Sequence, residues 1–417
     1  MVGAVLLLAV QVSTAPPCAE WRECRAMALQ AADRGDYETF HDLSWRAVQK
    51  GTANDPELLL LLARAQSLSG RPDDAVVMLL RVIATGTDVS AALAGPDFRR
   101  ARALPRWRDV EAAMEGAASP ARAVSTSGAS TAPTPASGAS SMENALRFEE
   151  DVPFDPSGLA HDAVSRRFVI GDRGGRRLVI VDEVSRHVVP LVSVASAGFR
   201  DQITGFEIDP RRGDLWVASA DADAGSKPAE ATLHKLQLVS GRTLFGVTVA
   251  ASLGPARLVD VAVTESGTVF ALDDVGRRVL RLRPGTRELD VVSALDVDAV
   301  AIAPADDRVV FVAHAGGVMR VDLASRSASP IRSREDLSGI EWMRWYRGSL
   351  VAVQRDADQA STASRIIRLQ LDSAGRSSAG LRVLDASAPN AAARASALDS
   401  GVVYYLSEGV IRRATVR

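Results

Sequence analysis

Lysine, cysteine and histidine are scarce in this chain: its 417 residues include three lysines (Lys50, Lys227 and Lys235), two cysteines and five histidines. So few thiols and imidazoles leave little material for a thiol or Cys/His metal centre, and no Cys-based metal motif or His-x-x-x-His spacing occurs. Charge of one sign is lacking too. With 49 basic and 51 acidic residues the net charge is −2, evenly spread, which excludes a global basic field for nucleic acid. The preference for arginine over lysine, with abundant alanine, reads as coding bias. No run of apolar residues is long enough for a membrane span; the N-terminal one, at 2–10, is far too short. The content of 47% hydrophobic and 24% charged residues is that of a globular protein and excludes a wholly disordered chain.

The apolar run VGAVLLLAV at 2–10, followed by small and polar residues up to Ala15, reads as the core of a secretory signal spanning 1–15 and predicts a secreted or periplasmic protein. No basic residue precedes it, as expected if the start codon is misplaced. Lipid attachment at Cys18 and an apolar N-terminal helix of a cytosolic protein are the alternatives. In an oxidising compartment Cys18 and Cys24 can pair only if Cys18 lies in an extended lead-in. Two unpaired cysteines on one helix remain the other possibility.

Residues 16–116 carry helical periodicity in two similar halves. Gly35-Asp36-Tyr37 and Gly70-Arg71-Pro72 lie 35 residues apart, each between Ala/Leu-rich periodic segments, and Asn54-Asp55-Pro56 supplies a cap and a helix-opening proline. This pattern resembles the tetratricopeptide repeat, with Gly35, Tyr37, Pro56, Gly70 and Ala75 at its turn, packing and inter-repeat positions. The resemblance implies a concave surface for a protein or peptide partner, with a helical spacer as the alternative. Residues from Asp97 to Met114 read as capping helices. Residues 117–142 are almost entirely Ser, Thr, Ala, Gly and Pro, a linker that cannot bury a core.

From 143 to 417 the apolar period changes to alternation, and one unit returns six times at spacings of 39 to 56 residues. It has a small or polar start, an alternating strand, a turn and a stronger apolar strand. The starts are Ser157, Thr204, Val259, Asp298, Ser338 and Arg394. The predicted fold is therefore multidomain, an all-α repeat region followed by an all-β six-bladed propeller. The last unit lacks a fourth strand, and 146–154 is expected to supply it and close the ring.

These repeats are similar to the family of senescence marker protein, gluconolactonase and luciferin-regenerating enzyme. That resemblance implies a divalent cation, usually calcium, at the channel mouth, where it polarises a lactone or ester carbonyl. The family's ligands, Glu, Asn, Asn and Asp, fall on Ser157, Thr204, Val259 and Asp298, so only Asp298 matches; a shift of one residue brings in Asp260. One carboxylate among such neighbours does not hold calcium, and no cofactor is expected. The expectation is a non-catalytic binding protein of the cell envelope, with a small ligand or partner at a mouth lined by Ser157, Thr204, Val259, Asp260, Asp298, Ser338 and Arg394. A metal-dependent lactonase using Asp298 is the alternative. Insertions at 220–231 and 356–364 are expected to flank the mouth. His161, His187, His234 and His314 read as strand-face or loop residues, and no Gly-x-Ser-x-Gly elbow or phosphate loop occurs.

Overall fold

The computed structural model describes residues 17–118, 145–147, 155–183, 186–221, 229–355, 363–389, 396–407 and 409–416. The signal-like segment, nearly all of the linker, most of both insertions, Arg394 and residues 148–154 lie outside the described residues. The chain divides into two compact units, one helical and one built of strands.

The helical unit contains α1 (Trp21–Asp33), α2 (Tyr37–Lys50), α3 (Pro56–Leu68), α4 (Pro72–Ala84), the short α5 (Ser90–Leu93) and α6 (Arg99–Arg102), and α7 (Trp107–Ala118). Helices α1 and α2 pack as one pair and α3 and α4 as the next. Both pairs turn on the same device. Gly35 and Gly70 adopt left-handed φ of 72° and 83°. The amide of the residue after each bonds back across the last turn, Asp36 to Ala31 at 3.0 Å and Arg71 to Gln66 at 2.8 Å. Asp36 caps α2 through the Thr39 amide, and Asp55 caps α3 through the Glu57 and Leu58 amides, ahead of Pro56. The apolar run of α3 is buried on several sides because it lies in the middle of the stack, against α2 and α4. Phe98 and Val110 are buried in the segment that follows. Cys18 precedes α1 in non-helical backbone and is bonded to Cys24, with a Cα separation of 5.3 Å. This decides between the two cysteine readings in favour of pairing.

The strand unit is a six-bladed propeller. Blade one contains β2 (Pro156–Asp162), β3 (Arg167–Asp172), β4 (Arg177–Asp182) and β5 (Val188–Ser193). Blade two contains β6 (Gln202–Asp209), β7 (Asp214–Ala220), β8 (Ala231–Gln237) and β9 (Thr243–Thr248). Blade three contains β10 (Leu258–Val263), β11 (Val269–Asp273), β12 (Arg278–Leu282) and β13 (Asp290–Ala294). Blade four contains β14 (Ala299–Pro304), β15 (Val309–His314), β16 (Gly317–Asp322) and β17 (Ser327–Pro330). Blade five contains β18 (Ile340–Tyr346), β19 (Ser349–Arg355), β20 (Ala363–Leu371) and β21 (Ser378–Pro389).

Blade six combines both ends of the domain. Strands β22 (Ser396–Asp399), β23 (Val402–Ser407) and β24 (Val410–Thr415) are joined by β1 (Ala145–Arg147), which pairs Leu146 with Ile411. The closing strand thus begins one residue earlier than the sequence pattern places it, and its described part ends at Arg147. Second strands such as β7 and β11 are buried at every position, since both faces of a blade pack on neighbouring blades; this is why they read as strongly apolar.

Candidate functional site at the channel mouth

Five inner strands break register at the same point. The pairing skips one residue between Pro156 and Gly158, Ile203 and Gly205, Leu258 and Asp260, Ala299 and Ala301, and Ile340 and Trp342. The bulged residues are Ser157, Thr204, Val259, Val300 and Glu341, and all five line one cavity at the channel mouth. Small residues next to the bulges let neighbouring inner strands approach. A Cβ on Gly158 would lie 2.5 Å from the Phe206 ring, and one on Gly205 would lie 3.3 Å from the Asp260 backbone.

This common register corrects the sequence alignment in two blades. Ser157, Thr204, Val259 and Asp260 come together at the cavity, whereas Asp298 and Ser338 do not line it. The Asp298 side chain is 80% exposed and pairs with Arg277 at 2.7 Å. Ser338 is held in the turn before β18 by hydrogen bonds to Asp336. Their places are taken by Val300 and Glu341, two and three residues further on. The misplacement arose because the alignment anchored on a small or polar residue before each strand. The geometry is set instead by the bulge inside it.

Behind the bulges the channel is crossed by an ionic cluster that motif reading missed. Arg344 of β18 donates through Nε to Glu207 of β6 at 2.6 Å and through both terminal nitrogens to Asp260 of β10, at 3.0 and 3.1 Å. It also donates to the Val261 and Met343 carbonyls. Asp260 accepts from the Val261 and Ile302 amides as well, both at 2.9 Å, so its two oxygens are fully engaged. Burial pushes the Glu207 carboxyl above its usual range, opposed by Arg344 and aided by the Asp260 charge. Burial alone would lower the Arg344 pKa, but the charges of Asp260 and Glu207 raise it, and the side chain stays cationic. The available signal was a charged residue within apolar inner strands, Glu207 in TGFEID and Arg344 in IEWMRWY.

These residues do not fit calcium. Apart from Glu341, which Arg355 engages, the bulge positions carry hydroxyls or valines, and a guanidinium already occupies the converging carboxylates. The cavity in front of the cluster measures about 20 Å³, which matches one water molecule. The Ser157 and Ser396 hydroxyls are buried at its wall with no hydrogen-bond partner among the described residues.

The rim of the mouth is fixed by a latch that recurs in blades one and three. Asp172 at the end of β3 takes the Arg177 Nε at 2.9 Å and the Gly175 amide at 3.1 Å. Asp273 at the end of β11 takes the Arg278 Nε at 2.7 Å, the Gly276 amide and the Arg257 amide just before β10. One aspartate thus ties the turn after the second strand to the start of the first. The residues are legible as Asp-x-x-Gly-Arg-Arg at 172–177 and 273–278.

A six-bladed propeller with a bulge-lined mouth and an arginine-bridged channel is the class that fold and site define. No family model matches the sequence, and no curated protein matches it. Solved structures are similar to the chain over about two thirds of its length. The PQQ-bound form of aldose sugar dehydrogenase from Streptomyces coelicolor is 12% identical, with 66% of this chain and 98% of that one covered and a TM-score of 0.45. Streptogramin B lyase is 9% identical, with 66% and 97% covered and a TM-score of 0.45. A Bacteroides thetaiotaomicron protein of unknown function is 11% identical, with 66% and 76% covered and a TM-score of 0.47.

Proposed function

We propose that this chain is a non-catalytic binding protein of the cell envelope, in which a tetratricopeptide-like helical module and a propeller each present a surface to a partner. The observation that carries the reading is the Arg344 bridge. The propeller's axial carboxylates, Glu207 and Asp260, are spent on a fixed cation from a third blade. The mouth cavity of about 20 Å³ is far below the roughly 300 Å³ or more of small-molecule sites. Binding is therefore assigned to exposed surfaces, with the propeller as a rigid platform. The signal-like N-terminus and the Cys18–Cys24 bond support the envelope assignment.

The test is thermal unfolding of the full chain with chelator, then with calcium, magnesium, manganese or zinc, alongside a lactone hydrolysis assay. A cation at a hundredfold over its dissociation constant adds about 2.7 kcal/mol, so binding is easily seen. The expected result is no shift and no turnover. A calcium shift removed by Asp260→Asn, together with calcium-dependent hydrolysis, would overturn the proposal in favour of the lactonase reading.

A further inference from the structure

A second cavity, of about 450 Å³, lies away from the channel mouth, at the periphery where blade four meets a turn of blade five. Strands β16 and β17 contribute Arg320, Asp322, Ser327 and Ser329, and the β20–β21 turn contributes Arg376, with Arg332 on the segment after β17. The turn is locked onto blade four. Arg332 and Ser377 pair as an isolated parallel bridge, with the Arg332 amide donating to the Arg376 carbonyl at 3.1 Å and the Ser378 amide to the Arg332 carbonyl at 2.8 Å. Arg320 Nε adds a bond to the Ala374 carbonyl at 3.1 Å. Gly375, with φ of 64°, lies so close to Phe311 that a Cβ there would approach its ring to 2.9 Å.

Among the residues that line the groove, positive charge is in excess. Arg320 is engaged by Asp322. Arg332 and Arg376 are exposed, and neither guanidinium has an ion-pair or hydrogen-bond partner among the described residues. Backbone bonds hold these two like charges on adjacent chain segments. Three arginines against one aspartate leave the walls with an excess of two positive charges, 3 − 1, beside the Ser327 and Ser329 hydroxyls. Planar guanidinium forks pair with oxyanions through parallel hydrogen bonds, and an excess of two charges is matched by a dianion rather than a monocarboxylate.

We propose that this groove binds a ligand with two oxyanionic charges, a phosphoryl group or a pair of sulfate esters carried on a small molecule or saccharide. The volume suits one such ligand. The site is independent of the channel mouth and of the reading given for it.

The test is calorimetric titration of the full chain, at low and at physiological salt, with pyrophosphate, a disulfated disaccharide and acetate. Pyrophosphate or the disaccharide is expected to bind one to one, more weakly at the higher salt, with acetate failing to compete. Arg332→Ala and Arg376→Ala are each expected to weaken binding about tenfold or more. Arg326→Ala, in the turn before β17 and outside the groove, leaves it unchanged, and all three variants keep the parent unfolding curve. Preference for pyrophosphate assigns a phosphoryl ligand, and preference for the disaccharide a sulfated glycan. Absence of binding by both, or binding undiminished in the Arg332→Ala/Arg376→Ala double variant, overturns the proposal.

Discussion

Arg344 and His161 show the same arrangement, a cation between two carboxylates, at different places in the ring. Arg344 stays charged at any ordinary pH, whereas His161 can titrate. His161 of β2 contacts Asp399 of β22 through Nδ1 at 2.6 Å and Glu183 through Nε2 at 2.5 Å, so it joins blade one to blade six at the closing seam. It also packs against Phe168 and Tyr404, with ring centroids 4.8 and 4.4 Å away. Burial alone would lower its pKa, but the hydrogen bonds and charges of Asp399 and Glu183 outweigh it and raise the value from 6.5 to about 9. A raised folded-state pKa adds stability that is complete below the unfolded value and is lost as pH climbs through the folded one. The protein is therefore expected to lose on the order of 3 kcal/mol between pH 6.5 and 9 through this residue. Urea midpoints across that interval should fall for the parent and stay nearly level for His161→Gln; parallel slopes would remove the seam histidine from the account. The sequence reading of His161 as a strand-face or loop residue left its element open and could not place it beside its partners, because Asp399 is 238 positions away.

At the scale of elements, local rules explain the parts that were readable. The 35-residue offset between Gly35 and Gly70 reflects one turn used twice, and both glycines sit at positive φ with little around them. The demand is thus on the backbone, not on space. Gly35→Ala and Gly70→Ala are each expected to cost about 1 kcal/mol. Gly116→Ala, in exposed helical backbone of α7, should be neutral or stabilising by up to about 1 kcal/mol. Helical melting followed by circular dichroism separates the two classes, and equal effects at all three sites would refute the turn argument. The bulges were less readable. A bulge is a relation between two strands, so a one-strand reading coincides with the bulges of blades one to three at Ser157, Thr204 and Val259 but falls on Asp298 and Ser338 in blades four and five, where the bulges are at Val300 and Glu341. The Asp-x-x-Gly-Arg-Arg latches were readable as residues; their task of tying one turn to another strand's start was not.

At the scale of the whole molecule, ring closure rests on a strand described over three residues, β1. Leu146 packs with the cluster that contains Leu159, Phe168, Leu406 and Ile411, which spans blades one and six. Leu146→Asp would place a carboxylate against that cluster and is expected to destabilise the propeller by about 2 kcal/mol or more. Chemical denaturation followed by tryptophan fluorescence reports it, and a change within about 0.5 kcal/mol, the size of an ordinary surface substitution, would mean that the seam is held without β1. The sequence by itself determined the order of the elements, the six repeats and the need for a closing strand, because period, turn chemistry and strand count are local properties. Tertiary structure alone decided the Arg344 bridge, the His161 seam and the unpaired Arg332 and Arg376. Each brings together side chains from different blades, or from segments remote within one domain, and their charge balance depends on which strands the ring makes neighbours.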